Sequence, residues 1–372
     1  MVESALIYNP SWDNIPSHIC GWLEVDLNAV AQNYALLRDQ LPHAQCAAVV
    51  KANAYGIGAQ PISQRLYKEG CRHFFVAHLD EAIALRPLVP DATVYVLTGC
   101  LAGTESDFYE SNLIPVLNDF AMLESWVNFG KSKSQVLPAI LHMDTGMNRI
   151  GFDNHALKKL IENMGVLAGI NLQGIMSHLA CSPDKTHPQN EQQRQLFEQI
   201  CKNFPDVPKS LADTAGIYLG ESYHYDMVRP GKGLFGLYQA PGLQQAFTLK
   251  ARIIQVHQAS KGKTVGYSAQ KILERDSVLA TLGIGYGDGL DRRSSEHSSV
   301  LLGQHKAPIV GSLSMDYTVI DVTDIPAELY QVGSWAQLTG PDQPLEDLSR
   351  QLGTISRELS TRLGNRLYRS EK

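Results

Sequence analysis

Lys51 closes a short apolar run, Cys46 to Val50, and opens the stretch Ala52-Asn53-Ala54-Tyr55-Gly56-Ile57-Gly58. A lysine at the end of an apolar run either reaches water or sits where a partly desolvated amine is useful, and an amine of that kind forms imines with carbonyls. The turn after it offers the Tyr55 hydroxyl and glycine-framed N–H groups, which suit a phosphate. Other chemistry-bearing residues also follow apolar runs. Asp144-Thr145-Gly146-Met147-Asn148-Arg149 follows Val136–Met143, His178 ends Leu172–His178, and Arg229 lies in Asp226-Met227-Val228-Arg229-Pro230-Gly231-Lys232-Gly233. An amine, two guanidinium groups, an imidazole and a phosphate-sized turn, without metal-ligand spacing, fit a phosphorylated aldehyde cofactor.

Positioning these groups on one face requires a repeating scaffold, and the chain has one. Trp22–Val25 reads as a strand, and Asp26 caps a helix whose apolar residues Leu27, Val30, Tyr34, Leu37 and Leu41 recur at helical spacing. Further strands are expected at Cys46–Val50, His73–Val76, Thr93–Leu97, Leu113–Leu117, Val136–Met143, Leu172–His178 and Lys209–Ala212. Helical patterns lie between them at Pro61–Glu69, Leu79–Leu88, His155–Met164 and Gln189–Asn203. This alternation predicts an α/β fold, a parallel (β/α)8 barrel whose active groups follow the strands. After about residue 243 the runs become short, β-rich and separated by Gly, Pro and Asp, as in Ala251–His257, Val278–Leu282 and Tyr317–Val322. The expected layout is an arm over residues 1–19, a cofactor-binding barrel over 20–242 and a β-rich C-terminal domain over 243–372.

Of the 372 residues 44% are hydrophobic and 19% charged, enough to bury a large core in two domains. The net charge of -6 supplies no basic field for nucleic acid, and no run approaches the length of a membrane span. The six cysteines fall singly, without a C-x-x-C pair, and the N-terminus carries no leader pattern, so a reducing cytoplasm is expected.

Seven segments in order carry a resemblance over nearly the whole chain: Val49-Val50-Lys51-Ala52-Asn53-Ala54-Tyr55-Gly56, Met143 to Gly151, Met176-Ser177-His178, Met227-Val228-Arg229-Pro230-Gly231, Val265-Gly266-Tyr267, Gly285-Tyr286-Gly287-Asp288-Gly289 and Ser314-Met315-Asp316. Together they resemble the successive motifs of alanine racemases. The resemblance implies pyridoxal 5'-phosphate bound through an imine to Lys51, with Tyr55, Thr214, Gly231 and Lys232 around the phosphate, Thr214 replacing a usual serine. It implies His178 packed on the cofactor ring and Arg229 facing the pyridine nitrogen, where a permanent cation disfavours ring protonation. Racemisation needs an acid/base on each face of a planar carbanion, and Tyr267 matches the role opposite Lys51, with neighbouring positive charge or donors expected to lower its pKa. Arg149 and the Met315 N–H would bind the substrate carboxylate. The family's tyrosine and Ser-Met-Asp loop come from a partner subunit, which implies a homodimer.

This sequence departs from the family pattern at three places. His142 stands where many members carry a carbamylated lysine, and is expected to hydrogen-bond the Arg149 loop when neutral or to recruit an anion. Ile57 replaces a frequent histidine, and Arg357 replaces a tyrosine that narrows the substrate mouth. Arg357 keeps open a broader racemase acting on serine or basic amino acids. A non-catalytic cofactor-binding protein would need neither Tyr267 nor the β domain, and the Val-Gly-Tyr and Ser-Met-Asp motifs favour a racemase over the related basic amino-acid decarboxylases. The run Gly283 to Gly289 resembles a dinucleotide fingerprint, but Leu290-Asp291-Arg292-Arg293 after it has no apolar stripe for the helix that motif requires.

Overall fold

A computed structural model describes residues 15–269 and 271–372, the side chains of Glu296 and His297 excepted. Residues 1–14 of the expected arm lie outside the described residues. The chain divides into two compact units: Asp26–Ala246 with Glu371–Lys372, and residues up to Val25 with Phe247–Ser370.

In the first unit parallel strands run in order through Ala48–Val49, His73–Val76, Thr93–Val96, Ile114–Leu117, Leu137–His142, Ile170–Met176 and Lys209–Ser210. The ring closes through Met227–Val228, which pairs in parallel with Gln45–Cys46, while Asp213 bridges Arg229. The N–H groups of Ala47 and Val49 donate to the carbonyls of Val228 and Pro230, at 3.0 and 2.9 Å. Helices alternate with the strands, among them Ala59–Lys68, Leu79–Leu85, Asn154–Glu162 and Pro188–Cys201. Inward-facing Ala47, Val49, Phe75, Tyr95, Val116, Ile140, Met176 and Met227 fill the barrel, so the parallel barrel expected from the alternation is present as a packed core.

One strand assignment is corrected. Gly21–Val25 is not the first barrel strand: it pairs antiparallel with Phe247–Ala251 in the β unit, Trp22 opposite Lys250 and Glu24 opposite Thr248. The Trp22 indole donates to Ser370 Oγ at 2.8 Å, and the Lys250 ammonium sits 4.2 Å from the Trp22 ring and 3.2 Å from Glu24. A mostly buried, mostly apolar run followed by a capped helix reads the same whether its partner is local or more than two hundred residues away. The place left in the barrel goes to Met227–Val228, too short to show any period. The unit boundaries accordingly fall at Val25/Asp26 and Ala246/Phe247 instead of 19/20 and 242/243. The long strand Phe247–Ala259 organises the β unit, pairing with Gly21–Val25, Trp335–Thr339 and Ser277–Leu282 around a bulge at Ile253 to Gln255.

Candidate active site

With the ring closed, Lys51 follows the first barrel strand, the Asp144–Arg149 loop the fifth, His178 the sixth and Arg229 the eighth, all at strand C-terminal ends. The backbone after Lys51 is unusual: Ala52, Asn53, Ala54 and Tyr55 have φ of 51, 53, 50 and 58°, a left-handed helical turn made without glycine, which Gly56 closes at φ 87°. Each non-glycine residue there costs about 1–2 kcal/mol, so its surroundings must hold it. The Asn53 side chain accepts from the Ala59 N–H at 2.8 Å, and the Gly58 N–H donates to the Asn53 carbonyl at 2.9 Å. The turn carries the Tyr55 ring to 5.2 Å from Phe235 and its hydroxyl to Gly231, where a Cβ would lie 2.2 Å from that oxygen. Only glycine at 231 permits the approach.

Thr214, fully buried, accepts at Oγ1 from the N–H groups of Gly231 and Gly233, both at 3.1 Å. With both lone pairs used, its hydroxyl proton remains to be donated, as to an anionic oxygen. Tyr55, Thr214 and Gly231 thus form a cradle that fits a phosphate. Lys232, buried beside them, places its ammonium 4.6 Å from the Tyr238 ring.

The Arg229 guanidinium is buried among neutral acceptors, donating to the Ser177 carbonyl at 2.5 Å, to the Leu211 carbonyl at 3.4 Å and to Ser210 Oγ. Burial pushes its pKa down to about 10, with Asp213 opposing, so it stays charged at neutral pH. His178 is held below the usual imidazole range first by burial and then by the charges of Arg229, Arg149 and Lys51, with Asp213 opposing. Asp213 stays below the ordinary carboxylate range despite burial, because His178, Lys232 and the Gly216 N–H outweigh desolvation.

Asp144 Oδ1 accepts from the N–H groups of Gly146, Met147 and Asn148 at 2.9, 2.9 and 3.1 Å, folding the loop so that Arg149 stands exposed. Gln193 on helix Pro188–Cys201 ties this loop to the next, its amide donating to Thr145 Oγ1 at 3.1 Å and to the His178 carbonyl at 2.9 Å. His142 is buried, with its pKa pushed down to about 3 by burial first and then by Arg229, His178 and Arg149. Its Nδ1 lies 2.9 Å from Asn118 Oδ1, and the Asn118 nitrogen faces the carbonyls of Leu97, Thr98 and Val116 at 3.2, 3.2 and 3.0 Å. Those carbonyls fix the amide orientation, so His142 donates through Nδ1–H and keeps Nε2 as an acceptor.

Between about pH 3 and 6.5 the unfolded chain binds a proton at residue 142 that the folded chain refuses, so stability falls on acidification through that window and is flat above it. From pH 7 to 5 this one group is expected to cost about 2 kcal/mol in the urea-unfolding free energy. His142→Gln should lose less by that amount, and equal losses in both proteins would show that the folded imidazole takes up the proton.

The remaining expected site residues lie in the β unit. Tyr267 is 69% exposed and Met315 53% exposed. Gly266, at φ 76°, brings this segment against Ser312, whose N would lie 2.9 Å from a Cβ at 266, and Ser312 Oγ donates to the Tyr267 carbonyl at 3.4 Å. The run Gly283 to Gly289 serves as a seat for the Ser314-Met315-Asp316 loop. The Tyr286 and Gly287 N–H groups donate to the carbonyls of Ser314 and Met315 at 3.1 and 2.9 Å, and a Cβ at Gly285 would lie 2.4 Å from the Met315 carbonyl. Arg366 clamps the loop, bonding Asp288 at 2.8 Å and Asp316 at 2.6 Å.

Two family profiles cover this architecture: "Alanine racemase, N-terminal domain" matches residues 25–239 and "Alanine racemase, C-terminal domain" matches residues 246–371. The chain belongs to the alanine racemase family. It is 40% identical over 348 residues to the alanine racemase of Rickettsia canadensis, covering 93% of this chain and 98% of that protein. It is also 40% identical over 353 residues to the alanine racemase of Rhodospirillum rubrum, covering 93% and 94%. The crystal structure of alanine racemase from Bartonella henselae with covalently bound pyridoxal phosphate superposes with a TM-score of 0.91 at 36% identity, covering 95% of this chain and 99% of that one. Within this alanine racemase fold, sequence reasoning missed Asn118, Gln193 and Asp213, whose roles depend on partners on other elements of the chain. The signal available for Gln193 was slight, because the helix Pro188–Cys201 carries five glutamines and only burial distinguishes this one.

Proposed function

We propose that this chain interconverts L- and D-alanine, using pyridoxal 5'-phosphate held on Lys51 and a two-base arrangement of Lys51 and Tyr267. The observation that carries this reading is the placement of Lys51, Arg149, His178 and Arg229 after the C-terminal ends of barrel strands, with Tyr55, Thr214 and Gly231 forming a cradle at the same end. The cofactor supplies an electron sink that acidifies the substrate Cα hydrogen. Thr214 and Tyr55 would hold the phosphate through their hydroxyls, joined by Gly231 and Lys232, and His178 would pack on the ring. Arg229, charged and bonded to neutral groups, would face the ring nitrogen of the bound cofactor and disfavour its protonation, which would limit the sink and favour return of the proton over side reactions. Arg149 and the Met315 N–H hold the substrate carboxylate. Lys51 exchanges the hydrogen of the D-enantiomer and Tyr267 that of the L-enantiomer. Exposure of Tyr267 and Met315 on the β unit supports a homodimer in which each site takes both residues from a partner subunit.

No helix among the described residues is long and apolar enough to cross a membrane, and together with the unpaired cysteines this supports a cytoplasmic enzyme. In deuterium oxide either alanine enantiomer should gain solvent deuterium at Cα while interconverting; interconversion without exchange removes the mechanism. Running the same assay on both enantiomers of serine, lysine and arginine measures whether Arg357 has widened the substrate range.

A further inference from the structure

A side chain from the neighbouring loop bonds the left-handed turn after Lys51. Glu81 Oε1 accepts from the Ala52 N–H at 2.5 Å, the first peptide after the lysine. Glu81 Oε2 accepts from the N–H groups of Ala77 and His78 at 2.8 and 3.2 Å, where the second barrel strand passes into helix Leu79–Leu85. One carboxylate therefore joins the loops after two adjacent strands, with an acceptor oxygen for each. Capping a helix start is ordinary work for a glutamate at this position, and glutamine does it equally well. Spanning to Ala52 at the same time is different. A glutamine has one acceptor oxygen, and its amide would set N–H groups against whichever backbone donors that oxygen does not serve.

We propose that Glu81 is a positioning residue for Lys51, its carboxylate pinning the left-handed turn that aims the amine into the barrel mouth. This rests on Lys51 being the cofactor lysine. The turn is intrinsically unfavourable at four successive residues, and the lysine's Cα is fixed only as well as the turn is. Losing the Ala52 bond frees the turn to relax toward ordinary φ, which moves both Lys51 and Tyr55, the residues at its two ends.

The test compares wild type, Glu81→Gln and the double variant Glu81→Gln with Ala52→Gly, each as holoenzyme. Ala52 is exposed at φ 51°, so glycine keeps the N–H while removing the conformational penalty. Borohydride reduction and peptide mapping of the wild type come first. Absence of cofactor on Lys51 removes the lysine assignment and this role with it. With Lys51 labelled, E81Q is expected to raise the pyridoxal phosphate dissociation constant ~10- to 100-fold, the effect of a lost hydrogen bond to a charged group. Amide exchange should quicken over residues 51–58 while helix Leu79–Leu85 stays protected. The double variant should recover roughly fivefold or more of the affinity. Wild-type affinity in E81Q, exchange changes confined to residues 77–85, or a double variant as weak as the single one would each overturn the role while leaving the lysine assignment intact. If E81Q is insoluble, the double variant alone decides: a soluble protein that retains cofactor supports the role, and one equally insoluble overturns it.

Discussion

Replacing Lys51 with alanine should abolish alanine racemisation in both directions, by ~10⁴-fold or more, since under the proposed mechanism it removes the covalent attachment and one of the two proton-transfer groups together. Lys51→Arg separates chemistry from electrostatics. Arginine keeps a cation near His178, whose imidazole the Lys51 charge helps to depress, yet a guanidinium does not form the imine or give up its proton at working pH. Both variants should therefore be inactive, and borohydride should fix cofactor on neither. Pyridoxal phosphate should still bind non-covalently, because Thr214, Gly231 and Tyr55 are untouched. Activity of Lys51→Arg within a hundredfold of wild type would remove Lys51 from proton transfer.

Tyr267→Phe should produce an asymmetric loss. The Tyr267 side chain is 69% exposed, so removing its hydroxyl should change stability by less than about 0.5 kcal/mol. Catalysis should respond far more: exchange of the L-alanine Cα hydrogen with solvent deuterium should fall ~10²- to 10⁴-fold, the range for losing a general acid/base. Exchange from D-alanine, assigned to Lys51, should survive, while interconversion, which needs both groups, collapses. Equal slowing of exchange from both enantiomers would contradict the division of labour, and an undiminished L-side rate would remove Tyr267 from it.

The barrel was legible because helix and strand periods alternate strongly from Cys46 to Ala212; Lys51, His178 and Arg229 drew notice because they follow apolar runs, whereas the roles expected of Thr214, Tyr267 and Met315 came from the resemblance alone. What escaped was non-local. Gly21–Val25 has the pattern of a barrel strand and finds its partner at Phe247–Ala251, while Met227–Val228 closes the ring with two residues. His142 stood out by its type, but its neutrality comes from burial and neighbouring cations and its tautomer from Asn118, all of which surround it only after folding. The left-handed turn was invisible because Ala52, Asn53 and Ala54 carry no glycine to announce positive φ. The dinucleotide-like glycines were rightly set aside for want of a helix, yet their use as a seat for Met315 emerges only from the close approach of two backbones.

The pairing of Gly21–Val25 with Phe247–Ala251 has a consequence for the order of events at the ribosome. Gly21–Val25 emerges well before its partner, and everything from Asp26 to Ala246 is synthesised between them. The barrel can complete its own hydrogen-bonded ring while the leading strand still waits, an apolar ribbon with Trp22 and Leu23 and no partner. Joining it demands closure of a very long loop, which slows maturation far more than it weakens the finished protein. Nascent chains stalled before Phe247 should thus be the species most prone to stick to one another and most in need of a chaperone.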